Sequence, residues 1–343
     1  MKWPWSATPK RGVIVLRRDG NTLSWVHADG EPGRPGRVLA CGEVSAVAES
    51  AAATVQRLKG LAPQQVMAVL PLHASQLLLI EAPAVPPEEL RAAARWRIKD
   101  MVEGALDDYT VDVMAVGDGQ VRGTRQLFVA ATTNARVREM TELAQSAGLP
   151  LSVIDITETA QRNLQTAAAA AAGLQARATA ALLRHGKQCL LTVCIDGELF
   201  EARRLDATLL DTEEAGGHNA PDALSKDPSA PLADDWQYVD YGAATETATA
   251  DAGHERLVLE LQRSFDVWER SHPGHTLGAL WLQVGPESAA LSLQLGRLLG
   301  LRVEVLDALS LFPGLDEAAP DPALRDSALP LLGALLRSET RQA

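Results

Sequence analysis

The sequence predicts an α/β fold whose sheets are at least partly parallel. An alternating strand at residues 126–132 precedes a helical stretch at 136–147, which Gly148 closes before the apolar strand LSVIDI at 151–156. A strand, a helix and a glycine-closed return to a strand form a crossover unit, which joins parallel strands. Strand-like and helix-like segments alternate again after residue 178, so we expect a second α/β block.

The bulk composition indicates a soluble globular protein rather than a nucleic-acid-binding or membrane-spanning one. The 343 residues suffice for two domain-sized cores or one bilobal unit. A net charge of -12 argues against binding to a phosphate backbone, so we expect no nucleic-acid partner. The apolar runs are far shorter than the ~20 residues of a membrane span.

Cysteine usage and the start of the sequence favour the cytoplasm. Cys41, Cys189 and Cys194 cannot all pair with one another, which is typical of a reducing compartment. The start has no apolar signal-peptide region. Trp3 and Trp5 near Lys2 lie in a tail that predicts peripheral contact with a membrane surface. The simpler alternative is a frayed chain end.

The first part of the chain is predicted to contain a β-hairpin, a helix and two apolar strands. The turn residues Asp19-Gly20-Asn21 separate the two hairpin strands. The predicted elements are strands at 12–16 and 22–26, a helix at 44–60, and strands at 66–70 and 77–80.

A helix is predicted to begin at Pro86 and Pro87, and it carries a tryptophan on its outer side. Its apolar stripe recurs at helical spacing, which predicts burial of one face. At 100° per residue Trp96 lies well away from that stripe, so a second surface is needed to cover it. The stripe consists of Leu90, Ala94, Ile98 and Met101.

The remaining elements alternate between strands and helices, with one polar interruption. Residues 211–253 are polar and lack sustained periodicity, which predicts a surface insertion or disorder. A helix at about 255–270 follows, with Leu257, Leu261, Phe265 and Trp268 on its buried face. The other predictions are strands at 110–116, 179–183, 189–195, 199–204, 279–284 and 301–306, and helices at 157–172, about 288–299 and 328–337.

Several segments together resemble the PilM family, the actin-like proteins of type IV pilus machines. The likeness is strongest for the MshI-type proteins of the mannose-sensitive haemagglutinin (MSHA, agglutinin) pilus. The segments are IEAPAVPPEEL from Ile80, ARWRIKDMV from Ala94, LDDYTVDVMAV from Leu106, AGLPLSVIDI from Ala147, GELFEARRL from Gly197, LELQRSF from Leu259 and the strand–glycine–helix unit around Gly285.

The resemblance implies a bilobal, actin-like (FtsA/PilM-like) α/β fold with a small inserted α+β subdomain in the first lobe. It divides the chain into an N-terminal tail (1–10), a first lobe in two parts (11–81 and 134–175), the inserted subdomain (82–133), a second lobe (176–310) with the polar insertion at about 211–253, and a return to the first lobe with a C-terminal tail (311–343).

The resemblance also implies a binding role. PilM-like proteins are cytoplasmic scaffolds peripheral to the inner membrane; they bind the cytoplasmic tail of a PilN-like bitopic protein and work with other pilus assembly platform proteins. We expect the inserted subdomain to form a groove for an extended peptide. The predicted partner-binding residues are Trp96, Arg97, Lys99, Asp108 and Tyr109. The alternative is that Trp96 packs under the inserted strands and the acids form a solvated turn.

The nucleotide cleft that the resemblance implies is degenerate in this sequence. The first hairpin pattern of glycine, apolar residue and acid falls on Gly12-Val13-Ile14, where isoleucine replaces the acid. The second pattern, of acid, any residue and glycine, falls on Arg184-His185-Gly186, where arginine replaces the acid that would hold magnesium through water. Proline follows Gly285 at the adenosine side and removes an N–H donor. We expect no ATP hydrolysis and at most weak ATP binding, with Gly12, Gly186, Lys187 and Gly285 as the remaining cofactor-binding residues.

No catalytic or metal site is predicted. Cys189 and Cys194 are spaced too widely for a usual zinc pair, and His272 and His275 are distant in sequence. Walker-type, GxSxG and GxGxxG patterns are absent from the sequence. The alternatives left open are an active actin-like ATPase or nucleotide-dependent polymer, and a GspL-like adaptor of a secretion system.

Overall fold

In the computed structural model the chain forms two lobes around two five-stranded sheets. The structure describes residues 12–45, 48–61, 63–117, 125–210 and 242–338, with the side chains of 48–52 and 242–253 left aside. The predicted tail with Trp3 and Trp5, residues 118–124 between two predicted strands, and most of the polar insertion lie outside these ranges. Within them, no helix combines the length and apolar character of a membrane span.

The described part of the chain contains thirteen strands, nine α-helices and three short 3-10 helices. The strands are β1 (Gly12–Asp19), β2 (Thr22–Glu31), β3 (Arg34–Ser45), β4 (Gln65–Leu70), β5 (Ser75–Glu81), β6 (Tyr109–Ala115), β7 (Gln126–Thr133), β8 (Leu151–Ile156), β9 (Ala178–His185), β10 (Gln188–Ile195), β11 (Glu198–Asp206), β12 (Leu277–Gln283) and β13 (Val303–Val305). The helices are α1 (Ala48–Gly60), α2 (Pro87–Arg97), α3 (Asn134–Ser146), α4 (Thr157–Ala171), α5 (Gly242–Ser271), α6 (Ser288–Leu299), α7 (Ala308–Leu311), α8 (Leu315–Ala318) and α9 (Pro322–Leu335).

The sheet topology confirms the predicted α/β class with partly parallel strands. The first lobe has the order β3-β2-β1-β4-β8, in which β4 runs parallel to both β1 and β8. The second lobe has the order β11-β10-β9-β12-β13, with β12 parallel to β9 and β13. A separate three-stranded sheet, β5-β7-β6, carries α2 and is called the insert below.

Two helices lie between the two large sheets and join the lobes. Apolar residues of α4 and α9 form one core with the inner faces of both sheets. Helices α1 and α3 cover the outer face of the first sheet, and α5 and α6 that of the second. At the contact of α4 with α9, a Cβ added to Gly333 would collide with the carbonyl group of Ala160. This glycine therefore permits the close helix packing at the centre of the molecule.

Residues 34–45 differ most from the prediction in the first lobe. The predicted helix at 44–60 begins only at Ala48, and the preceding residues form β3. Strand β3 forms because it pairs with β2 over most of its length, despite its glycines and proline. The predicted first lobe includes β5, but β5 pairs with β7 from Ser75 to Glu81, so the insert sheet begins before the predicted boundary at 82.

Three helices also have different bounds from those predicted. Helix α5 begins at Gly242, so residues 242–253 of the predicted insertion are helical. The closing helix α9 begins at Pro322, where the Asp321 side chain accepts a hydrogen bond from the Ala323 N–H. Helix α2 ends at Arg97, so helical spacing no longer applies to Met101, which is 47% exposed rather than buried.

Candidate functional site

The end of α2 is fixed to the start of β6 by one arginine. Arg95 donates hydrogen bonds from Nη1 to the Tyr109 carbonyl at 2.8 Å and from Nη2 to the Leu106 carbonyl at 2.7 Å. Its Nη2 also lies 3.3 Å from Oδ1 of Asp107. The last turn of the helix and the acidic turn therefore form one rigid surface of the insert.

That surface presents most of the predicted partner-binding residues to solvent. Trp96 is 69% exposed although its neighbours Ala94 and Ile98 are fully buried, which confirms that it lies off the apolar stripe. Arg97, Lys99 and Asp108 are exposed as well. The alternative in which Trp96 packs under the inserted strands does not apply to this structure.

Tyr109 does not belong to the exposed surface. It is only 9% exposed and contributes to the core of the insert, where its hydroxyl donates to the Glu103 carbonyl at 2.9 Å. The prediction of Tyr109 as a partner contact is therefore corrected. Its ring faces inward because β6 alternates, with Tyr109 and Val111 on the side that packs against α2.

The insert also packs directly against the second lobe. Val116 and Phe128 form a small apolar cluster with Cys194 and Leu199, and the Gly117 N–H donates to the Leu199 carbonyl at 2.8 Å. The opposite face of the insert sheet carries α2. The exposed surface around Trp96 thus lies on a subdomain that packs against the second lobe.

A second candidate site is the cleft between the lobes, with a volume of about 530 Å³. Its walls come from the β1–β2 hairpin, the β9–β10 turn, the loop between β12 and α6, and α9. Of the four predicted cofactor-binding residues, Gly186 and Gly285 line this cleft. Gly12 and Lys187 are not among the lining residues.

Gly12 lies at the far end of its strand from the cleft. Its hairpin reaches the cleft through Arg17 and Asp19, five or more residues further on, which is about 16 Å along a strand. Ile14 is fully buried against the outer helices of the first lobe. The placement of the phosphate hairpin on Gly12-Val13-Ile14 is therefore corrected, and the acid at the hairpin turn is Asp19.

On the second lobe, side chains bond to the backbone of the two loops that line the cleft, and to each other. The Arg184 Nε donates to the Gly186 carbonyl at 3.1 Å, and its Nη1 lies 3.9 Å from the Glu287 carboxylate. The same carboxylate covers Gly285, where an added Cβ would lie 3.2 Å from it. Ser288 Oγ accepts the Val284 N–H at 2.9 Å and donates to the Gly285 carbonyl at 2.6 Å.

These contacts do not fit Mg-nucleotide. Phosphate binding in such clefts depends on glycine backbone left open to the anion and on acids that hold the metal through water. Here the Glu287 carboxylate lies over Gly285 and repels an anion, and the resemblance aligns Arg184 with the acid that would hold the metal. Among the described residues, no group of three or more His, Cys, Asp or Glu side chains is arranged to hold a metal ion.

His185 is a neutral hydrogen-bond donor at the back of the cleft. Burial, and then the charge of Arg17 from the other lobe, lower the pKa of His185 to about 3. Its Nε2 lies 3.0 Å from Oε1 of Gln161, while the amide nitrogen of Gln161 donates to the Leu190 carbonyl at 2.8 Å. The amide oxygen must then be the acceptor, so His185 carries its proton on Nε2.

Most of the charged residues that line the cleft have no clear signal in the sequence. Arg17 and Asp19 were indicated only by the predicted turn at Asp19-Gly20-Asn21, which marks the end of a strand that could reach the cleft. Glu43 and Asp326 also line the cleft, from β3 and α9. No local pattern predicts these two, because they reach the cleft through contacts between distant parts of the chain.

The two large sheets, the helices between them and the interlobe cleft define a two-lobed, actin-like α/β fold. The chain is similar to the protein of a solved PilM–PilN type IV pilus biogenesis complex, with a TM-score of 0.65 and 18% identity over 96% of this chain and 99% of that one. At this identity the likeness establishes the fold.

More distant similarities extend to other proteins with this fold. The cytoplasmic domain of EpsL, an inner-membrane component of the Vibrio cholerae type II secretion system, matches 70% of this chain and 95% of its own with a TM-score of 0.41 and 16% identity. A Bacteroides thetaiotaomicron protein with an actin-like ATPase fold matches 91% and 96% with a TM-score of 0.47 and 10% identity. These two similarities are too distant to carry an argument. No protein-family model matches the sequence, and a search of curated proteins found no relative.

Proposed function

We propose that this chain is a non-catalytic, actin-like scaffold of a type IV pilus assembly platform. Its insert binds the cytoplasmic tail of a PilN-like bitopic protein at the cytoplasmic face of the inner membrane. The sequence segments that resemble MshI-type proteins favour a pilus of the MSHA class. The N-terminal tail with Trp3 and Trp5 adds a peripheral contact with the membrane surface.

The observation that carries the proposal is the exposed indole of Trp96. Trp96 is 69% exposed, and the hydrogen bonds of Arg95 hold the end of its helix in place. The indole therefore offers a large apolar surface at a fixed position. Tryptophan and arginine dominate the binding energy of protein interfaces, and Arg97 is exposed beside Trp96. Fold similarity to the protein in a PilM–PilN complex supports a PilN-like tail as the occupant.

The cleft supports the non-catalytic part of the proposal. The carboxylate of Glu287 lies over Gly285, and Arg184 replaces a metal-side acid. We therefore expect no release of phosphate from Mg-ATP above the rate in buffer. Steady turnover by the purified chain would instead support the rival function of an active actin-like ATPase.

Fluorescence anisotropy with a labelled tail peptide of a PilN-like protein from the same genome tests the binding site. The wild-type chain is expected to bind saturably, and Trp96→Ala is expected to weaken binding by about tenfold or more. Leu293→Ala is the matched control, because Leu293 is a 67% exposed apolar residue on α6 of the other lobe. Equal binding by Trp96→Ala and wild type would refute the insert as the site.

A further inference from the structure

Besides the shared apolar core, polar side-chain contacts connect the second lobe to the rest of the molecule at three places. They are an arginine bridge on one side of α4, a hydrogen bond beside the cleft, and a chain of amide bonds along α4. Each of these links groups of the second lobe to groups of the first lobe, the insert or the helix between the lobes.

Arg204 makes the first connection. From β11 of the second lobe, its Nη2 donates to Oε1 of Glu158 at 2.6 Å and to the Ser75 carbonyl at 2.8 Å. Glu158 lies at the start of α4 and is 1% exposed, and Ser75 begins the insert sheet. Burial raises the pKa of Glu158 above its usual value although the Arg204 charge opposes the shift, so Arg204 is the charged partner of a buried carboxyl group.

A hydrogen bond beside the cleft makes the second connection. Gln283, the last residue of β12, donates from Nε2 to Oδ1 of Asp326 on α9 at 2.7 Å. Both residues line the cleft. Helix α9 packs on the first sheet, so this bond joins the second lobe to the first beside the degenerate nucleotide loop.

Amide side chains of α4 make the third connection. Gln165 donates to the Thr179 carbonyl at 2.7 Å and accepts from Thr192 Oγ1 at 2.6 Å. Gln161 accepts the His185 bond at the cleft and donates to the Leu190 carbonyl. These buried bonds attach the central helix to β9 and β10 along two turns.

We propose that this chain keeps its lobes closed with its own side chains, so that closure does not depend on a bound nucleotide. In this chain, side-chain contacts between the lobes then take the place of nucleotide binding as the means of keeping the lobes closed. The inference concerns the lobes and stands independently of where a partner tail binds. Its central residue is Arg204, which contacts both the insert sheet and α4 from the second lobe.

Hydrogen exchange of the full chain, read by mass spectrometry, tests this closure. The reporters are the amides of the β1–β2 turn and the β9–β10 turn, which face each other across the cleft. In the wild type, exchange at both turns is expected to be the same with EDTA and with Mg-ATP. Arg204→Ala is expected to speed exchange at both turns by about tenfold, because opening of the lobes becomes more frequent.

Arg203→Ala is the matched control for Arg204→Ala. Arg203 neighbours Arg204 on β11 but pairs inside the second lobe, where it donates to Glu260 and to Ser264 Oγ. It should leave exchange at the β1–β2 turn unchanged. If Arg204→Ala does not fold, Gln283→Ala with Asp326→Ala replaces it, since both side chains line the open cleft.

Two results would overturn the proposal that side chains keep the lobes closed. One is marked protection of both turns by Mg-ATP in the wild type, which would show that nucleotide still closes the lobes. The other is unchanged exchange at both turns in folded Arg204→Ala and in the Gln283→Ala, Asp326→Ala variant. Neither result depends on tail binding, so the closure and the proposed function can fail separately.

Discussion

Arg95 and Tyr109 are joined by a hydrogen bond from Nη1 of the arginine to the carbonyl oxygen of the tyrosine, at 2.8 Å. The bond connects the last turn of α2 to the first residue of β6. Trp96 follows Arg95 directly, so the hydrogen bond that holds the end of the helix also fixes the position of the exposed indole. The insert is therefore a preformed surface rather than a loop that must order on binding.

We expect Arg95→Ala to destabilise the insert. It removes two hydrogen bonds from a charged donor to the Tyr109 and Leu106 carbonyls, which are together worth about 1.5–3 kcal/mol. Urea unfolding should show the loss, and exchange should quicken in α2 and β6. Arg91→Ala serves as the control, because Arg91 is an exposed arginine on the same helix. A stability equal to that of Arg91→Ala would contradict this role.

Acidification should destabilise the protein through His185. The pKa of His185 is lowered to about 3 by burial, against about 6.5 in an unfolded chain. Between these values the unfolded chain binds more protons, so the free energy of unfolding falls as the pH drops below 6.5. At pH 5 the loss is about 2 kcal/mol.

His185→Gln is expected to remove this contribution, since an amide can still donate to Gln161 but does not titrate. Denaturant midpoints measured at pH 7 and pH 5 give the comparison. The drop between the two values should be smaller in the variant than in the wild type. An identical drop in both proteins would show that His185 does not titrate as described.

Gly333→Ala should be strongly destabilising. A Cβ at this position would overlap the Ala160 carbonyl, so α4 and α9 would have to separate at the centre of the molecule. Overpacking of this kind costs about 1–3 kcal/mol or more. Thermal unfolding would show a lower midpoint than in the wild type.

Gly60→Ala is the matched control for Gly333→Ala. Gly60 ends α1, and an added Cβ there meets no atom within 4 Å. Alanine favours helix over glycine by roughly 0.5–1 kcal/mol, so this variant should be as stable as the wild type or slightly more so. Equal midpoints for the two glycine variants would argue against the close contact of α4 with α9.

Features that depend only on neighbouring residues could be predicted from the sequence, both in the fold and on the insert surface. The buried faces of α2 and α5 and the outward position of Trp96 follow from helical spacing, which needs no tertiary information. The prediction failed at Met101 because α2 ends at Arg97, and spacing alone does not show where a helix stops without a strong breaker.

The non-local part could not be predicted in the same way. Strand β3 depends on pairing with β2, and β5 joins the insert because it pairs with β7, some fifty residues later in the chain. The cleft brings Arg17 of β1 near His185 of β9 and places Asp326 of α9 beside Gln283. Such neighbours result from the arrangement of the lobes, and no spacing along the chain indicates them.

The most direct test of the proposed function is a calorimetric titration of the PilN-like tail peptide into the full chain, with EDTA and again with Mg-ATP. We expect saturable 1:1 binding with the same affinity in both buffers, since the insert surface is preformed and the cleft does not fit Mg-nucleotide. No binding heat at high micromolar peptide, or binding that appears only with Mg-ATP, would contradict it.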